Sequence, residues 1–249
     1  MDYKSFAIDL AKKAGKTIRA NFRLAMKKDW KDNDTPVTIT DTAINRMVIN
    51  AVKKHFPSHG VLGEEESYNE KGKEFLWVCD PVDGTVPFSH GVPTSTFSLA
   101  LVKNGKPIVG VAYDPFMDRM FSAELGKGAF LNGRRISVNK RGMHNSVISW
   151  ESWKSVEALR LKYKTSFPMS WFSFVYGAVL VACGELVAAV YTWNYAHDAA
   201  AAKVIVEEAG GIVTDLHGKD QRYDRKINGC LVSNGKVHKE LLKILKKFY

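Results

Sequence analysis

Phe75-Leu76-Trp77-Val78-Cys79-Asp80-Pro81-Val82-Asp83-Gly84-Thr85 is the stretch on which the fold turns. Five apolar residues in a row read as a buried strand. That strand delivers Asp80 to its carboxyl end. Pro81 stiffens the chain and removes one backbone donor. Asp83 follows three residues later, so a turn here brings two carboxylates to one side. Gly84 lets backbone approach a ligand closely, and Thr85 adds a hydroxyl. A helix beginning at this point would present free N–H groups to an anion. Two acids beside an anion site make sense when cations lie between them, and hard oxygen ligands of this kind suit Mg²⁺. A bare Asp-x-x-Asp-Gly is more often a capped turn, so the stretch needs partners elsewhere in the chain.

Upstream, Phe6, Leu10, Ala14, Ile18 and Phe22 recur at spacing four and predict a first amphipathic helix. Ile44, Val48, Val52 and Phe56 predict a second, with Thr40 or Asp41 as N-cap and Pro57 and Gly60 closing it. A polar segment, 31–36, separates them. Val61-Leu62 reads as a short strand. Downstream, Phe97 to Val102, Ile108 to Tyr113 and Met120 to Ala123 predict a meander with turns at Asn104-Gly105, Asp114-Pro115 and Asn132-Gly133. The second half alternates: a helix over 172–184, a strand over 187–191, a helix over 198–209 stopped by Gly210-Gly211, strands at 212–214 and 230–232, and a lysine-rich amphipathic helix at the end. Helix pair, sheet, helices, sheet predicts a layered α+β or α/β sandwich.

The 249 residues suit one domain over 1–249, built as two packed lobes of about 1–145 and 146–249. Hydrophobic residues at 45% and charged residues at 25% exclude a disordered or fibrous chain. The net charge of +10 favours anionic partners without choosing among nucleic acid, lipid and a small phosphorylated molecule. Three isolated cysteines, Cys79, Cys183 and Cys230, argue against a disulfide framework or a cysteine-rich zinc site and for a reducing cytoplasm. The N-terminus lacks a signal-peptide core, and the most apolar run, Trp171 to Cys183, is too short to span a bilayer.

Three further acidic positions complete the set. Glu64 and Glu65 sit in Gly63-Glu64-Glu65-Glu66 after a short strand, Asp198 opens His197-Asp198-Ala199-Ala200, and Asp41 follows Thr38-Ile39-Thr40. Each alone is a solvated loop or a helix cap. In combination, Thr-Pro-Val-Thr-x-x-Asp, Gly-Glu-Glu, Asp-Pro-Val-Asp-Gly-Thr and Asp-Ala-Ala before Glu-Glu-Ala-Gly-Gly resemble the inositol monophosphatase family of Mg²⁺-dependent, lithium-sensitive phosphatases, in family order over nearly the whole chain.

That resemblance implies a five-layer αβαβα sandwich, a homodimer, and hydrolysis of a small alcohol or polyol phosphate with two or three Mg²⁺ per site. At matching positions it implies that Glu64, Asp80 and the Val82 carbonyl hold a first ion, that Asp80, Asp83 and Asp198 hold a second, and that Glu64 helps with a third. It further implies that Glu65 orients a water, that Thr85 with Asp41 deprotonates the attacking water, and that the N–H groups of Gly84 and Thr85 hold the phosphate, with Asp198 and Tyr191 near the substrate. Such chemistry needs no covalent nucleophile, because metal ions neutralise the ester, activate water and stabilise the leaving alkoxide.

Several positions depart from the family pattern. Val86-Pro87-Phe88 replaces a polar pair before Phe, His197 stands where Trp precedes the late Asp, and Phe172-Ser173-Phe174-Val175 replaces a small-residue segment. Tyr191 stands where inositol-specific members carry a glutamate, and Val187 where an aspartate is expected nearby. A phenol cannot act as a charged two-oxygen acceptor, so the pocket reads as less tuned to a polyol ring. Histidinol phosphate, fructose 1,6-bisphosphate and 3′-phosphoadenosine 5′-phosphate are the alternative substrates. A catalytically silent polyanion binder is the alternative of another class, disfavoured because a nucleic-acid groove would not concentrate these acids without metals.

Overall fold

The computed structural model describes residues 2–32, 34–150, 153–163 and 167–249. Helix α1 (Tyr3–Asn21), capped by the Asp2 carboxylate, leads through a ribbon of β1 (Asp29–Trp30) and β2 (Pro36–Val37) into α2 (Ile39–His55). The chain then forms β3 (Gly60–Gly63), β4 (Phe75–Asp83), the short helix α3 (Thr85–Ser89), β5 (Thr96–Lys103), β6 (Lys106–Asp114), β7 (Arg119–Glu124), β8 (Gly128–Leu131) and β9 (Arg134–Arg135). The remainder comprises β10 (Val147–Trp150), α4 (Trp153–Lys162), β11 (Phe167–Met169), α5 (Phe174–Ala182), β12 (Ala188–Tyr191), α6 (Ala200–Glu208), β13 (Ile212–Thr214), β14 (Cys230–Ser233) and α7 (His238–Leu245).

Two sheets result. The first runs β3-β4-β5-β6-β7-β8-β9, with β3 parallel to β4 and every later pair antiparallel. The second runs β11-β10-β12-β14-β13, with β10 parallel to both β11 and β12. Strand periodicity assigns side chains to layers. On β4, Trp77 and Cys79 join the cluster under α1 and α2, while Leu76 and Val78 join the cluster that α5 and α6 fill between the sheets. On β12, Ala189 and Tyr191 face that middle layer, and Ala188 and Val190 face α4 and α7. The layer order is therefore αβαβα, as the sequence predicts.

Four local readings change. The N-cap of α2 is Thr38, and Asp41 is the third residue of the helix, its carboxylate returning to the Thr38 N–H in a capping box. β4 does not stop before Asp80 but runs on to Asp83, because its pairing with β5 continues through a register shift between those two residues. α6 begins at Ala200 and its cap position is Ala199, so Asp198 lies in the turn ahead of the helix and caps nothing. α5 begins at Phe174 with Ser173 as N-cap, which leaves Phe172 outside the helix with φ of 52°. β10, α4 and β11 are elements that the sequence reading left unassigned. They are short and of mixed composition, and they form where β12 and α7 supply a surface to pair with and pack on.

The middle layer is thin because its residues are small. Ala199 to Ala202 are fully buried at the start of α6, and β6 offers Gly110 beneath them. A Cβ at Gly110 would stand 2.4 Å from Val204 Cγ1 and 2.7 Å from the Ala201 carbonyl oxygen. Asp198 rides on this helix entry, so the close approach of α6 to β6 sets its distance from Asp80 on the same sheet. Gly110→Ala is expected to destabilise the fold by about 1–3 kcal/mol through overpacking, and also to weaken Mg²⁺ binding. Thermal unfolding with and without Mg²⁺ reads both effects. Unchanged values would show that the helix has slack there.

Candidate active site

Asp80 and Asp83 are separated by an odd number of steps, and in a regular strand they would face opposite sides of the sheet. The irregularity in β4 changes this. Asp80 pairs with Ser98 and Asp83 with Thr96, so Pro81 and Val82 occupy the place of one residue on β5. The extra residue reverses the alternation and turns both carboxylates to the edge of the middle layer. Asp198 enters from the turn before α6. Carboxylate oxygens of Asp80, Asp83 and Asp198 lie within 4.8 Å of one another.

Each acid is held from behind. Asp80 Oδ1 accepts the Val82 N–H at 3.0 Å. Asp83 Oδ2 accepts the Val175 N–H at 3.0 Å, the Thr96 hydroxyl at 3.1 Å and the Ser173 hydroxyl. All three donors fall on Oδ2, which leaves Oδ1 to the cluster. Asp198 Oδ2 accepts the Tyr191 hydroxyl, and His197 Nε2 lies 3.5 Å from its Oδ1. Glu64, delivered by the end of β3, stands beside Asp80 but outside the three-acid set.

The electrostatics of these acids favour a cation among them. Burial, with Glu64, Asp198 and Asp83 close by, pushes Asp80 well above the usual carboxylate range. Burial and Asp198 raise Asp83 to about 7, and burial raises Asp198 as well. At an effective dielectric of about 20, two unit charges at this spacing repel by about 3–4 kcal/mol. Three such pairs would rival the whole stability of a domain. The set can be fully ionised only around a cation. Its donors are hard carboxylate oxygens with no thiolate or imidazole among the three, which fits Mg²⁺, Mn²⁺ or Ca²⁺ rather than a thiophilic ion.

Beside this cluster, Gly84 adopts φ of 87°, a conformation that favours glycine, and α3 starts at Thr85. A Cβ at Gly84 would meet Ser173 Cβ at 3.0 Å, so the turn packs directly on the segment that supports Asp83. Thr85 Oγ1 lies 3.1 Å from Asp41 Oδ1 and 3.0 Å from the Val82 carbonyl. Thr38 holds the other oxygen of Asp41, which leaves Oδ1 aimed at Thr85. Burial raises the Asp41 carboxyl to about 6, against the pull of Thr38.

Glu64 and Glu65 share a lysine that the sequence reading did not single out. Lys31 Nζ lies 2.8 Å from Glu64 Oε1 and 2.5 Å from Glu65 Oε1. Despite its burial, the two carboxylates hold the ammonium firmly charged. The ribbon of β1 and β2 brings Lys31 here, and no motif in the sequence pairs it with either glutamate.

Lys31, Glu64, Asp80, Asp83, Gly84, Thr85 and Asp198 line a cavity of about 530 Å³. Tyr191 lines it too, with its ring on Phe174 at 4.8 Å and its hydroxyl spent on Asp198. His197 packs on Tyr195, ring to ring at 5.3 Å, so it serves as a packed ring that also faces a carboxylate. Ser173, in the segment that replaces the family's small residues, supports Asp83. Trp193 and Tyr195 were missed, although the alternation Tyr191, Trp193, Tyr195 was a signal that one edge would be aromatic.

Fold and site together define a metal-dependent phosphomonoester hydrolase. The chain belongs to the inositol monophosphatase family, whose pattern matches residues 2–248. It is 34% identical to the fructose-1,6-bisphosphatase/inositol-1-monophosphatase of Thermotoga maritima, over 98% of this chain and 96% of that one. It is 32% identical to the histidinol-phosphatase of Chlorobaculum parvum, over 95% and 93% of the two chains. The solved Thermotoga maritima IMPase superposes with a TM-score of 0.90 at 31% identity, covering 99% of this chain and 98% of that one.

Lys31 neutralises Glu64 and Glu65 in the metal-free protein. Lys31→Met is expected to lower the metal-free melting temperature by a few degrees, corresponding to about 1 kcal/mol. It should also enlarge the rise in melting temperature that Mg²⁺ produces, since a divalent ion would then supply the missing charge. Equal Mg²⁺ shifts in variant and wild type would show that Lys31 and the ion act independently.

Proposed function

We propose that this protein hydrolyses small alcohol and polyol phosphates, with Mg²⁺ as the ion, two or three per site, held by Glu64, Asp80, Asp83, Asp198 and the Val82 carbonyl. The observation that carries the reading is the convergence of Asp80, Asp83 and Asp198 next to the Thr85–Asp41 pair. When bound, the ions would neutralise the ester and lower the pKa of water. The chain's own residues do the rest. Thr85 Oγ1 accepts the proton of the attacking water and passes its own to Asp41 Oδ1. A carboxyl with its pKa near 6 is a serviceable acceptor close to neutral pH. Glu65, set by Lys31, orients a water. The N–H groups of Gly84 and Thr85 hold the phosphate oxygens.

The substrate range proposed is broad. Tyr191 offers no second carboxylate for ring hydroxyls, and its hydroxyl already serves Asp198. Inositol 1-phosphate is therefore accepted without strong preference over histidinol phosphate or a nucleotide bisphosphate. Four acids at one end of the cavity weigh against a silent polyanion binder, which would need that end neutral or basic. The family resemblance supports sensitivity to lithium, a cytoplasmic homodimer, and one domain over 1–249 with lobes of about 1–145 and 146–249. Among the described residues no helix is long and apolar enough to cross a membrane.

Two variants test the mechanism. Asp80→Asn should reduce phosphatase activity to background while circular dichroism shows the fold intact, because a neutral amide binds Mg²⁺ poorly. Activity in EDTA equal to that in Mg²⁺ would overturn the assignment. Thr85→Ala keeps every metal ligand and removes the proton path. It should lower kcat by about 10²–10⁴-fold while the Mg²⁺ concentration for half-maximal activity stays within a few fold. An unchanged kcat would remove Thr85 from the mechanism.

A further inference from the structure

The cavity is chemically divided. Every Asp, Glu and Lys among its described lining residues lies at the acidic end, in Lys31, Glu64, Asp80, Asp83 and Asp198. Trp150, Met169, Phe172, Phe174, Trp193 and Tyr195 supply a large apolar share of the remaining lining. Phe174 is fully packed, but Trp193 is 54% exposed and Phe172 is 59% exposed. Large aromatic side chains left open to water inside a concave site mark a surface awaiting a ligand. Phe172 stands with φ of 52°, outside α5, a costly conformation for a residue with a Cβ. The Ser173 bond to Asp83 and the packing of Gly84 on this segment keep it there.

A polyol leaving group would fare poorly on this wall. Its hydroxyls would surrender water for aromatic carbon, and a polar group buried without a partner is penalised. A flat aromatic or heteroaromatic ring would instead replace water on two exposed aromatic faces and gain stacking. Resting on the phosphomonoesterase reading, we infer that this site selects phosphate monoesters whose alcohol carries an aromatic ring, with Trp193 and Phe172 as the residues that recognise the ring. The acidic end binds the phosphate in every substrate, and the wall decides among the alcohols. The ring could come from a nucleoside or from a smaller aromatic alcohol, since both present the same π face.

The test uses the whole protein with Mg²⁺ and pairs of phenylalkyl and cyclohexylalkyl phosphates matched in linker length. The two alcohols of a pair leave equally well, so the ratio of their kcat/KM reads the wall alone. The phenyl ester is expected to win by about tenfold in the best pair, carried by KM. In Trp193→Ala that ratio should fall to about one, and Trp193→Phe should restore most of it. Both exposed positions tolerate substitution, and the ratio within one variant is insensitive to the fraction folded. Adenosine 2′-monophosphate and the best phenylalkyl phosphate distinguish the two sources of ring, the better substrate naming the source. A wild-type ratio near one, or a ratio that persists in Trp193→Ala and in Phe172→Ala, overturns the inference. Calorimetric binding of the matched phosphonates separates the two readings. If no ester is hydrolysed yet the phenyl phosphonate still binds about tenfold tighter, the wall stands and the phosphomonoesterase reading falls.

Discussion

Asp80, Asp83 and Asp198 bring carboxylate oxygens within 4.8 Å of one another, with Asp80 and Asp83 buried and Asp198 partly so. Fully ionised, they would repel one another by an amount that rivals the stability of an ordinary domain, so the site has to recover that cost. Hydrogen-bond donors recover part of it: Val82 to Asp80, Tyr191 to Asp198, and Thr96, Ser173 and Val175 to Asp83. Protonation can recover more in the free protein, which is why burial drives these groups up. A divalent cation held by these acids would recover the rest. Metal binding and folding are therefore linked, and an ion that binds only the folded chain stabilises it by mass action.

The scaffold's main features serve that convergence. The extra residue in β4 brings Asp80 and Asp83 to one face, and the sheet fixes both to within the stiffness of its ladder. The third acid comes from the other half of the chain, and only the thin middle layer lets it reach. Ala199 to Ala202 on α6 and Gly110 on β6 remove the side chains that would hold the helix off. Gly84 does the same for the segment around Ser173. Small residues here are a distance requirement set by the chemistry.

The rest of the cavity lining obeys a different constraint. Phosphate recognition needs positive charge and oriented N–H groups, which cations held by the acids and the N–H groups at the start of α3 would present to every ester alike. Discrimination between alcohols has to come from the lining that the leaving group meets, and here that lining is rich in aromatic side chains. The relatives include a fructose-1,6-bisphosphatase/inositol-1-monophosphatase and a histidinol-phosphatase, which accords with a shared phosphate site and a lining that varies between chains. Tyr191 joins the two, packing its ring on Phe174 while its hydroxyl steadies Asp198.

The apolar periodicities of four and two residues in the sequence determined a layered α+β or α/β sandwich, the family resemblance of its motifs added the five-layer order, and the acidic residues of the site were legible because their motifs are local. Asp80, Asp83, Gly84 and Thr85 sit in one stretch that any reading would mark. What only the tertiary structure decided depends on contacts distant in sequence. Lys31 meets Glu64 and Glu65 across more than thirty residues, Ser173 reaches Asp83 across ninety, and no local pattern links either pair. The bulge in β4 was invisible because it is a property of pairing with β5 rather than of the Asp-Pro-Val-Asp sequence. The helix start read at Asp198 was misplaced for the same reason. A helix-start pattern specifies an acid near an N-terminus, but here the acid turns to two carboxylates on another element, and the helix begins two residues later.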